Sequence, residues 1–415
     1  MKITVIGGGS TYTPELVDGF ARLGFPVQEI ALVDPDADRL AVIAPLARRI
    51  LAEQGHPAGV SATADPDAGV DGADAVLIQL RIGGQEARHL DETLPHECGC
   101  VGQETTGAGG LAKALRTVPV VLDLAERIAA RAPDAWIVDF ANPVGIVTRA
   151  LLDAGHRAVG LCNVAIGFQR TFADWLGVDH RRITLDHVGL NHLTWERAVR
   201  LDGVDVLPDL LADHGEALAE RLRLPVEAIR RLGVVPSYYL RYYYAHDQVL
   251  AEQLGSTSRA RQVAAMEREL LELYRDPELA QKPALLEQRG GAYYSEAAVQ
   301  LVHALTADTG EVRVANVRNN GTLPFLSDDA VIEVPSRIDA RGATPLPVAP
   351  VEPLFAGLIA QVTAYEELAL AAALHGGTDR VATALLAHPL VGQIDLADQL
   401  AQKIVAANHR HLKWV

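Results

Sequence analysis

Met1-Lys2-Ile3-Thr4-Val5-Ile6-Gly7-Gly8-Gly9-Ser10-Thr11-Tyr12-Thr13-Pro14-Glu15 opens the chain, and the reading of this stretch decides the fold. An apolar run of strand composition hands over to three glycines, and Pro14-Glu15 is the composition of a helix first turn. Amides without side chains beside them can approach a pyrophosphate closely, and a helix N-terminus favours its charge. The match to G-x-G-x-x-G is incomplete, because Tyr12 stands where the third glycine would fall, and a plain tight turn fits the same residues. Asp34, which ends a second apolar run at 29–33, weighs toward the nucleotide reading. A carboxylate there accepts hydrogen bonds from an adenosine ribose and repels a 2′-phosphate, so NAD is favoured over NADP. Its alternative is a turn role in Asp34-Pro35-Asp36. Gly7, Gly8, Gly9, Ser10, Thr11 and Asp34 are the candidate cofactor-binding residues.

Working outward, further apolar runs at 75–79, 135–140 and 158–161 alternate with helical patterns at 15–22, 38–53 and 112–132. Strand–helix alternation predicts a parallel sheet covered by helices on both faces, a Rossmann-type doubly wound domain over 1–166. From 167 to 415 helical patterns dominate, notably 207–232, 237–274, 296–307 and 351–374. Two β-like pieces at 312–317 and 330–334 suggest a small sheet of their own. The expected fold class is therefore α/β, with a mainly helical α+β second domain.

The 415 residues carry 37 Lys+Arg against 53 Asp+Glu, a net charge of −16, which argues against nucleic acid or an anionic membrane as partner. No uninterrupted apolar stretch reaches the length of a membrane span, and no apolar leader follows Met1. Three cysteines, Cys98, Cys100 and Cys162, form no disulfide framework, so a cytoplasmic setting is expected.

Residues 102–110, Gly-Gln-Glu-Thr-Thr-Gly-Ala-Gly-Gly, form a second glycine-rich loop of functional composition, or else a flexible connector. Cys162-Asn163 follows an apolar run, and His192 lies in Gly189-Leu190-Asn191-His192. A thiolate and an imidazole together suit a divalent metal, although each alone is more often a packed core group. Five of the ten tyrosines lie within 238–244, a packing face from which one phenol could act as acid or base. Arg81, Arg289 and Arg318 stand beside glycines or amides or at the end of an apolar run, the composition of anion clamps.

Taken in this order, these motifs, with Ala141-Asn142-Pro143 and Tyr239-Leu240-Arg241-Tyr242-Tyr243, resemble glycoside hydrolase family 4, whose NAD-dependent members depart from two-carboxylate chemistry. The resemblance spans nearly the whole chain and implies a two-domain plan like that of lactate and malate dehydrogenases. It implies NAD and Mn²⁺ as cofactors and a phosphorylated glycoside as substrate, the Cys162-Asn163 pair being similar to the 6-phospho-β-glucosidase branch. By the same resemblance Cys162 and His192 hold the metal, Tyr239 is the base, and Asn142, Asn163, Arg81 and Arg289 bind the sugar or its phosphate. The implied reaction oxidises C3, removes the C2 proton, eliminates the aglycone, adds water and reduces C3 again. A homodimer or homotetramer is also implied. The alternatives are a family 4 glycosidase of different sugar specificity, a lactate/malate-type dehydrogenase recruiting Asp186, His187 and Arg81, and a non-catalytic sensor.

Overall fold

The computed structural model describes residues 1–291 and 293–415. Its described strands are β1 (Lys2–Ile6), β2 (Glu29–Val33), β3 (Gly59–Thr63), β4 (Ala75–Ile78), β5 (Trp136–Asp139), β6 (Ala158–Gly160), β7 (Ile183–Leu190), β8 (Leu193–Leu201), β9 (Val204–Asp205), β10 (Val235–Pro236), β11 (Glu311–Arg318), β12 (Val331–Asp339) and β13 (Gly342–Pro345). The larger sheet has the order β13-β12-β11-β6-β5-β4-β1-β2-β3. From β6 to β3 every pairing is parallel. Strands β1, β2, β4 and β5 are buried almost throughout because helices cover both faces, which is why they read as unbroken apolar runs.

Strand order reverses at β1. The chain winds outward through β2 and β3, then returns to β4 on the other side of β1 and continues through β5 and β6. Such a switch point opens a crevice beyond the carboxyl ends of the two central strands, and here residues 7–11 follow β1 and residues 79–81 follow β4.

Two expectations need correction. The pieces at 312–317 and 330–334 do not form a separate sheet: β11 pairs antiparallel with β6 and β12, and β12 with β13, extending the large sheet. The second sheet is built instead from β7, β8, β9 and β10, all antiparallel. The long helical stretches are broken. The 207–232 pattern splits at Arg223, whose φ is +54°, just before Pro225. The 237–274 pattern becomes a 3₁₀ turn (Tyr238–Leu240) and helices Arg241–Tyr244, His246–Leu254 and Arg259–Tyr274, the last restarted by Ser258, whose hydroxyl caps the Arg261 amide. Pro353–His375 is long and apolar enough to cross a membrane by length and composition, but Glu366 and Glu367 interrupt its apolar run, and it packs against helix Gly107–Arg131 and helix Thr378–Ala387.

Candidate active site

Beyond β1 the chain turns at Gly7, whose φ of +85° suits glycine. The Gly7 and Gly8 amides both donate to the Val33 carbonyl at 2.9 Å, tying the turn to β2. A Cβ on Gly8 would lie 2.8 Å from Leu32 Cβ and 2.9 Å from its Cα; one on Gly9 would lie 2.8 Å from Asp34 Cγ. These two glycines are therefore demanded by close packing of the turn on β2. Asp34 Oδ2 accepts from the Gly9 amide at 3.0 Å and Oδ1 from the Asp36 amide at 3.0 Å, so the carboxylate stands beside the glycine turn and also organises its own. Tyr12, in place of a third glycine, donates its hydroxyl to the Gly291 carbonyl at 2.6 Å. Thr11 Oγ1 lies 3.4 Å from Glu267 Oε1, which also accepts from Arg289 Nη2 at 3.1 Å and Gln85 at 3.1 Å. Arg289 thus belongs to the glycine-turn side of the crevice.

Cys162 follows β6 by two residues and is 5 % exposed; Asn163 beside it opens helix Val164–Leu176. His192 sits in the tight β7–β8 turn with φ +65°, and the turn closes so tightly that a Cβ on Gly189 would meet the Leu193 carbonyl at 2.0 Å. Burial lowers the His192 imidazole to about 4, so it stays neutral and able to ligate. Its Nδ1 is engaged by Thr105 Oγ1 at 2.9 Å, which fixes the ring and directs Nε2 elsewhere. The Tyr239 ring stacks on it at 3.7 Å between centroids with 13° between planes. Burial, reinforced by Cys162 and Tyr242, raises the Tyr239 phenol well above its usual value. The remaining tyrosines pack: Tyr242 lies among Val101, Val249 and Leu390, and Tyr244 Oη accepts from Trp195 Nε1 at 3.2 Å.

Arg81 leaves β4 and ion-pairs with Glu104. The same carboxylate accepts from Lys113 Nζ at 2.7 Å and Arg88 Nη2 at 3.1 Å, so three cations surround one anion beside the crevice. Burial, with Arg81 adding repulsion, lowers Lys113 to about 8. Asn142 precedes a cis Pro143, and its Oδ1 is buried without a hydrogen-bond partner among the described residues. A buried acceptor left unmet is costly in a free protein and fits a ligand donor.

Glu104, Thr105, Lys113 and Arg88 escape a residue-by-residue reading. The signal for Glu104 and Thr105 is the 102–110 segment, while Arg88 and Lys113 stand on the flanking helices, and the segment is less of a loop than its composition suggests: Gly107–Gly110 are the first turn of helix Gly107–Arg131. There a Cβ on Gly109 would meet the Asp91 and Gln103 carbonyls at 2.3 Å. Arg318, by contrast, pairs with Asp153 and Asp329. The dehydrogenase set is also dispersed. His187 is fully buried between Glu196 and Glu333, Asp186 pairs with Arg197 at 3.1 Å, and Arg81 is held by Glu104.

The switch-point crevice and the Tyr239–His192 stack together define a class, a doubly wound α/β enzyme. The chain belongs to family 4 of the glycosyl hydrolases: the family 4 model matches residues 2–178 and the model of its C-terminal domain matches 187–391. It is 36% identical to a 6-phospho-beta-glucosidase of Escherichia coli, over 100% of this chain and 96% of that one. The structure of the Thermotoga maritima 6-phospho-beta glucosidase with manganese, NAD⁺ and glucose-6-phosphate superposes with a TM-score of 0.94 at 32% identity, covering 100% of this chain and 99% of that one. Malate dehydrogenase of Salinibacter ruber shares the fold alone, with a TM-score of 0.55 at 17% identity over 90% of this chain and 97% of that one.

Proposed function

We propose that the protein hydrolyses 6-phospho-β-glucosides with NAD⁺ and Mn²⁺, in a cytoplasmic setting and as a homodimer or homotetramer. The observation that carries this reading is the stack of Tyr239 on His192, in a chain whose glycine turn holds its amides against Asp34. Cys162 and His192 suit a divalent cation as a soft donor and a neutral imidazole with one nitrogen free, although burial keeps the Cys162 thiol protonated until a cation draws off its proton. Among the described residues no group of three His, Cys, Asp or Glu is gathered to hold a metal. Two protein ligands leave coordination positions for substrate oxygens. When bound, NAD⁺ supplies a reversible hydride acceptor for C3 and the cation a Lewis acid for the oxygen there.

The chain's own residues do the rest. Gly7, Gly8, Gly9, Ser10 and Thr11 present amides and hydroxyl groups to the dinucleotide, and Asp34 to its ribose. Cys162 and His192 hold the metal, and Tyr239 takes the proton from C2. Asn142 and Asn163 orient sugar hydroxyls, while Arg81 and Arg289, backed by Arg88 and Lys113, form the cationic surroundings of the 6-phosphate. The Ala/Leu-rich C-terminal helices, which expose Leu354, Leu374, Leu386 and Ile394, supply an apolar face for self-association.

The deciding experiment hydrolyses p-nitrophenyl β-glucoside with and without a 6-phosphate, adding or withholding NAD⁺ and Mn²⁺, and follows aglycone and NADH together. Aglycone release that needs phosphate, NAD⁺ and metal, with no accumulation of NADH, is expected; NADH equal to product would point to a dehydrogenase. A second expectation concerns the turn. Gly8→Ala forces a Cβ into Leu32 and should destabilise the protein by about 1–3 kcal/mol and weaken NAD⁺ binding, measured by thermal denaturation and NAD⁺ titration.

A further inference from the structure

Helix Arg259–Tyr274 brings two side chains onto one residue of the glycine turn. Glu267 Oε1 accepts from the Thr11 hydroxyl at 3.4 Å, and Tyr274, two turns further along the same helix face, donates its hydroxyl to the Thr11 carbonyl at 2.8 Å. Glu267 is only 9 % exposed, and donors reach its carboxylate from four separate parts of the fold. Oε1 also accepts from Gln85 Nε2 at 3.1 Å and from Arg289 Nη2 at 3.1 Å, while Oε2 accepts from Arg39 Nη2 at 3.4 Å. Arg39 lies against the turn as well, since a Cβ on Gly9 would stand 3.1 Å from its Cβ. Arg289 is held a second time: its guanidinium carbon lies 5.8 Å from the centroid of the Tyr12 ring, and the Tyr12 hydroxyl donates to the Gly291 carbonyl at 2.6 Å. The Arg289 Nε is buried and has no acceptor among the described residues. Two guanidinium groups thus share one carboxylate, and a buried N–H left unmet is costly unless a ligand supplies its acceptor.

We infer that Glu267 is a positioning residue that ties the dinucleotide turn to Arg289, so that NAD⁺ and the phosphorylated sugar each bind more tightly when the other is bound. The inference rests on the reading above, in which Thr11 serves the dinucleotide and Arg289 the 6-phosphate. Its physical basis is one shared oxygen, Glu267 Oε1, on which both residues lean. A long side chain loses rotamer entropy when a ligand fixes it. A dinucleotide that orders the turn also orders Glu267 through Thr11, so the Arg289 guanidinium is already in place when the phosphate arrives. Linkage makes the effect reciprocal: a bound phosphate that fixes Arg289 readies the turn for NAD⁺. Both ligands are anionic, and the one positive charge left over among Arg39, Arg289 and Glu267 offsets their repulsion. Glu267 touches neither ligand in this account and acts only through Thr11 and Arg289.

The test titrates NAD⁺ and glucose 6-phosphate into the full-length protein by calorimetry with Mn²⁺ present throughout, each ligand alone and each with the other at saturation. Wild type should bind either ligand roughly 5-fold or more tightly in the presence of the other. Glu267→Gln keeps the shape and loses the charge; it should weaken each ligand by roughly 10-fold and bring the coupling ratio close to one. Thr11→Val removes the other end of the link at nearly constant volume and should lower the ratio in the same way. Tyr274→Phe loses a bond from the same helix to the same residue but leaves the carboxylate alone, so it should lower the melting temperature and keep the coupling. Glu267→Gln with wild-type coupling, whatever its separate affinities or melting temperature, would overturn the link and leave Glu267 a structural residue. Coupling lost equally in Tyr274→Phe would overturn it too, because any loosening of the helix would then suffice. Two ligands that bind wild type independently would overturn the link and leave the functional reading standing. Failure of wild type to bind glucose 6-phosphate would overturn that reading and the link together.

Discussion

Tyr239→Phe should lower kcat by roughly 10²–10⁴-fold, the usual size of a lost general base, while the affinities for NAD⁺, metal and substrate stay nearly intact. Phenylalanine keeps the ring that stacks on His192 at 3.7 Å and removes only the hydroxyl. Burial holds that hydroxyl protonated in the free protein, with Cys162, Tyr242 and Glu104 adding negative surroundings. The basic form therefore depends on a nearby cation, and kcat should rise with pH until the phenol has ionised. Turnover in D₂O should place deuterium at C2 of the released sugar, because a proton taken by an acid–base group exchanges with solvent before one is returned. Tyr242→Phe and Tyr244→Phe should change kcat only a few-fold; Tyr244→Phe also loses the acceptor of the Trp195 indole N–H, about 1 kcal/mol of stability. Near-normal turnover of Tyr239→Phe with C2 labelling unchanged would move the base elsewhere. No C2 label in wild type would remove the elimination route itself.

Cys162→Ser should cost on the order of 10²-fold or more in activity and in metal affinity, exceeding the 10–100-fold usual for an outer partner. A serine hydroxyl stays protonated where a thiol can yield a ligand. Oxidation of wild type should have the same effect, and reductant plus Mn²⁺ should reverse it as long as the sulfur has gone no further than sulfenic acid or disulfide. Cys98 and Cys100 are also free and buried, but neither lies in the site, so Cys98→Ser and Cys100→Ser should leave metal binding unchanged. Metal content and activity of the three variants, before and after peroxide, separate a ligand from a core residue. Cys162→Ser with wild-type metal content would make Cys162 the latter.

How far the sequence reaches differs from one part of the molecule to another. Strands β1, β2, β4, β5 and β6 stand out because they are buried on both faces, so their apolar runs are continuous. The edge strand β3 is a run of Gly, Val, Ser, Ala and Thr with exposed residues and leaves no such mark. Cys162, His192 and Tyr239 attract notice because each is a chemically capable residue in a distinctive local setting, though it took a resemblance to join them. Glu104 had no such setting; it is one carboxylate in a glycine-rich stretch until Arg81, Arg88 and Lys113 close around it.

By itself, then, the sequence determined the parallel core of the larger sheet and the glycine turn, because local propensity and the period of burial are written into neighbouring residues. Family membership was legible too, since motifs keep their order along the chain. The folded chain alone shows that β11, β12 and β13 extend the large sheet, that Arg289 stands at the glycine turn with Thr11 and Glu267, and that Glu333 meets His187, Asn191 and Asn316. Periodicity reports which face of an element is covered and carries no record of what covers it. Asn191 and Glu333 are 142 residues apart, and only the folded chain brings them within hydrogen-bond distance.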